Sequence, residues 1–311
     1  MEKIATRDGF GKGLLELGKK NPNVVSIEAD LGKSTKSILF AKQFPDRNFN
    51  VGISEADMML VSCGLAASGK LPFASTFAIF TERAFEQIRN AVCRMNLNVK
   101  IIGSHAGLIT GEDGSSAQCI EDIAVFRTLP HMVVISPADA VQAEKAVEAM
   151  AGHHGPVYMR LTREKVPVLY NDNHKFIIGR GDVLREGKDV TIIAHGPQVY
   201  ESLEAADELA KEGINARIIN MSTIKPLDEN LVLRAAQETG AIVTAEDHSI
   251  IGGLGGAVAE CLVSSYPTPL ERVGLHDTFG ESGKPMDLYK KYGLTSGDIA
   301  QAARKAIKRK K

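Results

Sequence analysis

The sequence predicts an α/β protein of two domains, each a mostly parallel sheet flanked by helices. Three observations carry that prediction. Short apolar, β-branched runs alternate with helical patterns through the first half, as a sheet covered on both faces requires. A polar stretch, Tyr170-Asn171-Asp172-Asn173-His174, followed by Gly179, Gly181 and Gly187, interrupts the alternation. The alternation then restarts. A chain of 311 residues also has the length of two ordinary domains. The reading is a first domain over 1–172, an extended linker over 173–188 and a second domain over 189–311.

The elements follow in order. Residues 7–20 place Phe10, Leu14, Leu15 and Leu17 on one side of a helix. Val24-Val25-Ser26-Ile27 is a short strand. The extended stretch Phe49 to Ile53 delivers Glu55 to its end, and the small and apolar run Met58 to Ala67 follows. A short strand lies near Pro72-Phe73. Residues 99–103, 132–135 and 157–161 read as strands, and 81–96 and 138–151 as the clearest helices. In the second half, 189–194, 216–220 and 241–245 are strands and 199–212 is an amphipathic helix.

Composition excludes several function classes. A net charge of −1 gives no electrostatic case for nucleic acid or an anionic membrane. No apolar stretch approaches a membrane span, and the residues from Met1 to Arg7 lack the apolar core of a signal peptide. Cys63, Cys93, Cys119 and Cys261 are widely spaced without a paired metal-ligand pattern, so they read as reduced, buried thiols of a cytoplasmic protein. The basic tail from Lys305 to Lys311 reads as a frayed, solvated terminus. With no Trp and few aromatics, a carbohydrate- or base-stacking surface is disfavoured.

Four motifs invite a chemical reading. Glu55 is a lone carboxylate between apolar stretches, hence either a solvated turn acid or a buried group with a specific partner. The loop from Ser104 to Ser116 leaves a strand at its C-terminal end, where parallel sheets bind ligands, and it carries His105, Glu112, Asp113 and glycines. Its alternative is a flexible loop with a solvated histidine. Phe77 and Phe80 are three residues apart and would share a helical face, as core packing or as a wall for a flat ring. Gly252-Gly253-Leu254-Gly255-Gly256 lacks the glycine spacing of a dinucleotide fingerprint and reads as a tight turn close to the sheet. The stretches Gly111-Glu112-Asp113-Gly114 and Asn171-Asp172-Asn173 are too far apart to form one metal–diphosphate motif.

Taken together these pieces resemble the transketolases. Ile53-Ser54-Glu55, Ser75-Thr76-Phe77 with Phe80, His105, and Gly111-Glu112-Asp113-Gly114 occur in that family's order and spacing. Ile4-Ala5-Thr6-Arg7, Ala29-Asp30-Leu31, Ser222-Thr223-Ile224-Lys225-Pro226-Leu227, Glu246-Asp247-His248 and Ser282-Gly283-Lys284-Pro285 fit as well. The resemblance spans nearly the whole chain. It implies the C-terminal subunit of a split transketolase: a pyrimidine-binding domain of the thiamine diphosphate-binding fold, then a transketolase C-terminal domain. A separate N-terminal subunit would hold the diphosphate and its Mg2+ or Ca2+, and this chain no metal.

The resemblance also implies roles. Glu55 would hydrogen-bond the aminopyrimidine of thiamine diphosphate, so that its imino group removes the thiazolium proton. Phe80 and Phe77 would flank the pyrimidine, with Asp30 and Leu31 lining the same pocket. His105 and Asp113 would bind sugar hydroxyls, His105 assisting proton transfer. Arg7, Ser34 and Arg163 would form the phosphate end of the sugar channel. The assembly implied is a heterotetramer with two sites, and the helix carrying Arg89, Val92 and Met95 is a candidate self-interface. Two positions depart from the family. Ala117 stands where a His or Gln usually contacts substrate, with Gln118 next to it as a candidate replacement. Arg83 stands where many relatives carry an aromatic. Three alternatives remain: the β subunit of a 2-oxo acid dehydrogenase, the corresponding part of a deoxyxylulose phosphate synthase, and a non-catalytic regulatory subunit. No motif of the second domain reads as catalytic, and Glu246 and His248 read as structural.

Overall fold

The computed structural model describes residues 1–310. Two parallel-rich sheets form the two halves. The strands are β1 (Lys3–Ala5), β2 (Val24–Glu28), β3 (Asn48–Asn50), β4 (Leu71–Phe77), β5 (Lys100–Ser104), β6 (Val133–Ile135) and β7 (Val157–Arg160), then β8 (Lys165–Pro167), β9 (Asp182–Arg185), β10 (Val190–Ala194), β11 (Ala216–Asn220), β12 (Thr223–Lys225), β13 (Ile242–Ser249) and β14 (Leu270–Leu275). The first sheet runs β12-β6-β7-β5-β4-β2-β3 and the second β14-β13-β10-β11-β9. Strands β2 to β7 pair in parallel, while β1 and β8 form a separate antiparallel ribbon.

Helices cover both faces because strands buried on both faces need two layers of apolar cover. The helix Thr6–Lys20 crosses the helix Ala140–Gly152 so closely that a Cβ on Gly9 would meet Ala140 O at 2.0 Å. Asp139 caps the latter helix by accepting Gln142 N at 2.7 Å. Thr295 and Asp298 form a capping box at the start of the helix Ser296–Lys308. Among the described residues no helix is long and apolar enough to cross a membrane. All four cysteines are free and buried.

The structure departs from the sequence reading at five places. The stretch 81–96 is not one helix: short helical turns at Ala78–Thr81, Glu82–Ala84 and Phe85–Gln87 lead into a π-helical segment, Ile88–Cys93. Val92 there is fully buried in the first core, so it is not part of a free surface; Met95 is exposed. Strand β9 lies inside the stretch read as linker and forms the edge of the second sheet. Strand β12, from the second half, pairs antiparallel with β6 of the first sheet. The basic tail is helical to Lys308 and docked: Lys305 pairs with Glu271 at 2.7 Å, and Arg309 donates to Leu270 O at 3.0 Å and contacts Glu271. Lys311 lies outside the described residues.

Candidate active site

The C-terminal ends of β2, β4, β5 and β7 meet at one edge of the first sheet, where ligands of parallel sheets bind. Asp30 and Leu31 follow β2, and Ser34 sits in the helical turn Gly32–Thr35. Glu55 is the first residue of the helix Glu55–Ala67, whose positive end favours a carboxylate. Phe77 ends β4, and Phe80 lies in the turn after it. His105 follows β5, Arg163 follows β7, and Asp113 ends the 3-10 stretch Leu108–Asp113. Arg7 enters from the first turn of the helix Thr6–Lys20.

A continuous row of contacts links most of these residues. The Glu55 side chain is 4 % exposed, and its charged neighbour is the Arg83 guanidinium at 3.7 Å. Arg83 lies over the Phe80 ring, 4.8 Å from its centroid. Phe80 stacks on Phe77 with centroids 5.4 Å apart, and Phe77 stacks on His105 at 3.7 Å. His105 Nε2 meets Arg7 Nη1 at 3.3 Å, and Arg7 also donates to Ser34 O at 3.0 Å. Arg163 pairs with Asp113 at 3.5 Å and Glu112 at 3.4 Å, and donates to Thr110 O. Asp30 stands apart from this row: its backbone is left-handed and its carboxylate accepts from Asn50 Nδ2 at 3.1 Å.

His105 is buried, so the solvated-loop alternative falls away. Burial first, then Arg7 and Arg163, push its pKa down to about 3. The ring is therefore neutral at neutral pH. Arginine only donates, so Nε2 facing Arg7 is the acceptor, and Nδ1–H donates to Ser104 Oγ at 2.9 Å. That fixes a neutral imidazole whose Nε2 is a hydrogen-bond acceptor on the side of the site. Arg7 keeps a buried Nε with no partner, a donor still free for a ligand.

Phe77 and Phe80 do not share a helical face, because Phe77 belongs to the strand; their rings meet all the same, nearly parallel at 6°. Gln118 does not replace the donor missing at Ala117. Its Nε2 is spent on Gly111 O at 3.0 Å and Glu281 O at 2.9 Å, and the side chain is buried in the loop. Sequence reasoning placed Arg83 in the pocket wall without seeing its pairing with Glu55. It also missed a second cluster: Glu82, Cys119 and Glu121 bring their ligand atoms within 4.8 Å of one another. Cys119 Sγ donates to Glu82 at 3.4 Å, which reads as a satisfied thiol. The glycine run 252–256 is a turn into the helix Leu254–Ser265, whose first amides are held by Glu246 at 2.7 and 2.8 Å.

Comparison with known proteins bears directly on this geometry. Residues 2–168 match the family model of the transketolase pyrimidine-binding domain, and residues 179–299 that of the transketolase C-terminal domain. A putative transketolase C-terminal section of Methanocaldococcus jannaschii is 46 % identical over 307 residues, covering 97 % of this chain and 96 % of that protein. A 6-deoxy-6-sulfo-D-fructose transketolase subunit of a Clostridium species is 43 % identical over 311 residues, covering 100 % of this chain and 97 % of its own. Human transketolase is 40 % identical over 310 residues, and there the match takes in 98 % of this chain but 49 % of the longer protein. Among solved structures, one described as a split gene transketolase, inactive beta4 tetramer, superposes with a TM-score of 0.94 at 52 % identity, covering 99 % of this chain and 100 % of that one. By sequence, by fold and by domain content, the chain belongs to the transketolase family.

Proposed function

We propose that this chain is the C-terminal subunit of a thiamine diphosphate-dependent transketolase, which moves a two-carbon ketol unit from a ketose phosphate to an aldose phosphate. The observation that carries the reading is the row from Glu55 through Phe80, Phe77 and His105 to Arg7: an apolar wall with a buried carboxylate at one end and cationic donors at the other. The domain division follows the same reading, with 1–172 binding the pyrimidine and 189–311 forming the C-terminal domain, to which β9 of the stretch 173–188 adds an edge strand.

The residues fit the cofactor. A flat, weakly basic ring needs an aromatic face and a desolvated carboxyl that can share a proton with its nitrogen, and Phe80 and Glu55 offer both. Glu55, Phe80, Phe77, Asp30 and Leu31 would hold the pyrimidine half. When bound, thiamine diphosphate supplies the electron sink that lets the bond beside a ketose carbonyl break. Glu55 holds a proton against the ring nitrogen. Arg83 occupies the Phe80 face in the free chain and swings aside. His105 Nε2 accepts a proton from a sugar hydroxyl once Arg7 turns to the anionic end of the sugar. Arg7, Ser34 and Arg163 bind that anion, and Asp113 orients a hydroxyl. The diphosphate and its Mg2+ or Ca2+ belong to an N-terminal subunit, in a cytoplasmic heterotetramer with two sites.

A second reading concerns the donor. The Ala117 side chain offers no hydrogen bond and the Gln118 donor is occupied, so the side-chain donors to the sugar are fewer than the resemblance implied. Two arginines can donate to the anionic oxygens of a sulfonate as they can to those of a phosphate. A relative 43 % identical is described as acting on 6-deoxy-6-sulfo-D-fructose, which makes a sulfonated ketose a candidate donor.

The test is reconstitution with the product of a neighbouring reading frame, assayed on phosphorylated and sulfonated ketoses. The chain alone should be inactive and the pair active. Glu55→Gln should cost at least ~100-fold in the pair, within the usual range for a positioned proton partner, while leaving assembly intact. Ketol transfer by the purified chain alone, or near-normal turnover by Glu55→Gln, would overturn the reading.

A further inference from the structure

We infer that Asp247, a residue of the second domain, positions the loop that presents His105 and Asp113 to the sugar. The inference deepens the ketol-transfer reading and rests on it. Strand β13 carries Glu246, Asp247 and His248, all fully buried. Successive strand residues point to opposite faces. Glu246 is used within its own domain, on the amides of Leu254 and Gly255. Asp247 points the other way, and its carboxylate reaches the first domain. There its carboxylate accepts Leu108 N at 2.8 Å and Ile109 N at 3.1 Å, and from its own domain Tyr289 OH at 2.9 Å.

Those two amides open the 3-10 stretch that begins three residues after His105 and ends at Asp113. The approach is tight. Gly107 has φ +82°, and a Cβ there would meet Asp247 Oδ2 at 2.3 Å. The strand is itself fixed from behind, because Arg160 donates to Asp247 O at 2.8 Å, to Cys119 O at 3.2 Å and to Asp122. Further along, Gln118 reaches Glu281 O, and a Cβ on Gly114 would meet Ser282 Oγ at 2.4 Å. The loop thus lies on a bed built by the second domain, with Asp247 its charged anchor. Glu55 and Phe80 stand outside that bed. Asp247 touches no substrate. It acts through the loop, and this is what the second domain contributes to the reaction.

The variants are Asp247→Asn, which keeps the shape but turns an amide group toward one of the loop donors, and Gly107→Ala, which strikes the same contact from the other domain. Tyr289→Phe is the control that leaves the loop amides anchored. In the full chain, amide hydrogen exchange over residues 107–113 should speed up at least ~10-fold in both variants, since the Leu108 and Ile109 amides that open the stretch lose their anchor and loosen it, and stay as wild type in Tyr289→Phe. In the reconstituted complex, the KM for sugar should rise at least ~10-fold, as a slightly misplaced binding group implies, with proton exchange at the cofactor's thiazolium carbon unchanged. Unaltered exchange over 107–113, or a wild-type KM with losses confined to melting temperature or kcat, would overturn the inference. Should Asp247→Asn fail to fold, Gly107→Ala decides by the same two readings. A wild-type complex without ketol transfer overturns the functional reading instead, and the exchange measurement alone then decides whether Asp247 holds the loop.

Discussion

Burial, with Glu121 and Asp122 close by, holds the Glu82 carboxyl up to about 7, against 4.5 in the unfolded chain. Below about 4.5 the group is protonated in both states and costs nothing. Between about 4.5 and 7 the native state binds more protons than the unfolded one, so stability falls as pH rises through that window. Above 7 the full penalty of a buried charge remains. Glu82→Gln keeps an oxygen to accept from Cys119 and removes the charge. It should therefore stabilise the chain by roughly 1–3 kcal/mol at pH 8, given about 1.4 kcal/mol for each tenfold change in proton affinity and a discount for the solvent that still reaches the group. At pH 4 it should change nothing measurable. Urea unfolding at the two pH values checks this, and an equal effect at both would sink it. His105 is displaced in the opposite sense, and for a different purpose. Its ring is kept neutral by burial and two arginines, which suits a group that accepts a hydrogen bond at Nε2 and does not carry charge.

At the scale of elements, what a local run of residues dictates was legible, and what pairing across the chain dictates was not. Strands β2, β5, β7, β10 and β11 are built around short apolar runs and are buried on both faces almost throughout, and the sequence placed each within a residue or two. Strand β9, Asp182–Arg185, is half-exposed at a sheet edge and carries no such run. Strand β12 is three residues long, and its partner β6 lies in the other half of the chain. The broken helical stretch after Phe77 contains neither Gly nor Pro, so no breaker announces its change of pitch. Within the candidate site, Glu55, Phe80, His105 and Arg7 were named from the sequence, whereas Asp247 was given no role there. A signal existed: two adjacent acids inside an apolar strand each need a partner, on opposite faces. Asp139 is the element-scale counterpart. Its carboxylate caps the helix Ala140–Gly152 and also accepts Leu169 N at 2.6 Å and Tyr170 N at 2.8 Å, tying the exit of the first domain to that helix. Asp139→Ala strands three amides, one buried and two partly buried, and should cost about 2–4 kcal/mol in urea unfolding, more than the ~1 kcal/mol of a simple cap. A loss under about 1 kcal/mol would mean those amides find other partners.

On the scale of the whole molecule, the candidate site lies at an open edge, with Arg83 62 % exposed beside the buried Glu55. An edge that carries catalytic chemistry in the open needs a second surface to exclude water. The helix that begins at Glu55 suggests where other subunits meet this chain. Met58, Met59, Ser62 and Cys63 face its own core, yet Leu60 on the outer side is half exposed, and Ile53 just ahead is 78 % exposed. A helix apolar on both sides is one that is covered on both sides. Because Glu55 opens that helix, assembly and closure of the site share one element. Leu60→Lys should therefore weaken association at least ~10-fold, since a charge at the centre of an apolar contact is costly to desolvate. The isolated chain's unfolding free energy should change by no more than ~0.5 kcal/mol, the usual range for an exposed position. Sedimentation velocity across a concentration series, with and without the N-terminal subunit, separates the two. A mass distribution unchanged in both series would show that this face is free in the assembly, and the subunits would then have to meet at another edge of the first sheet.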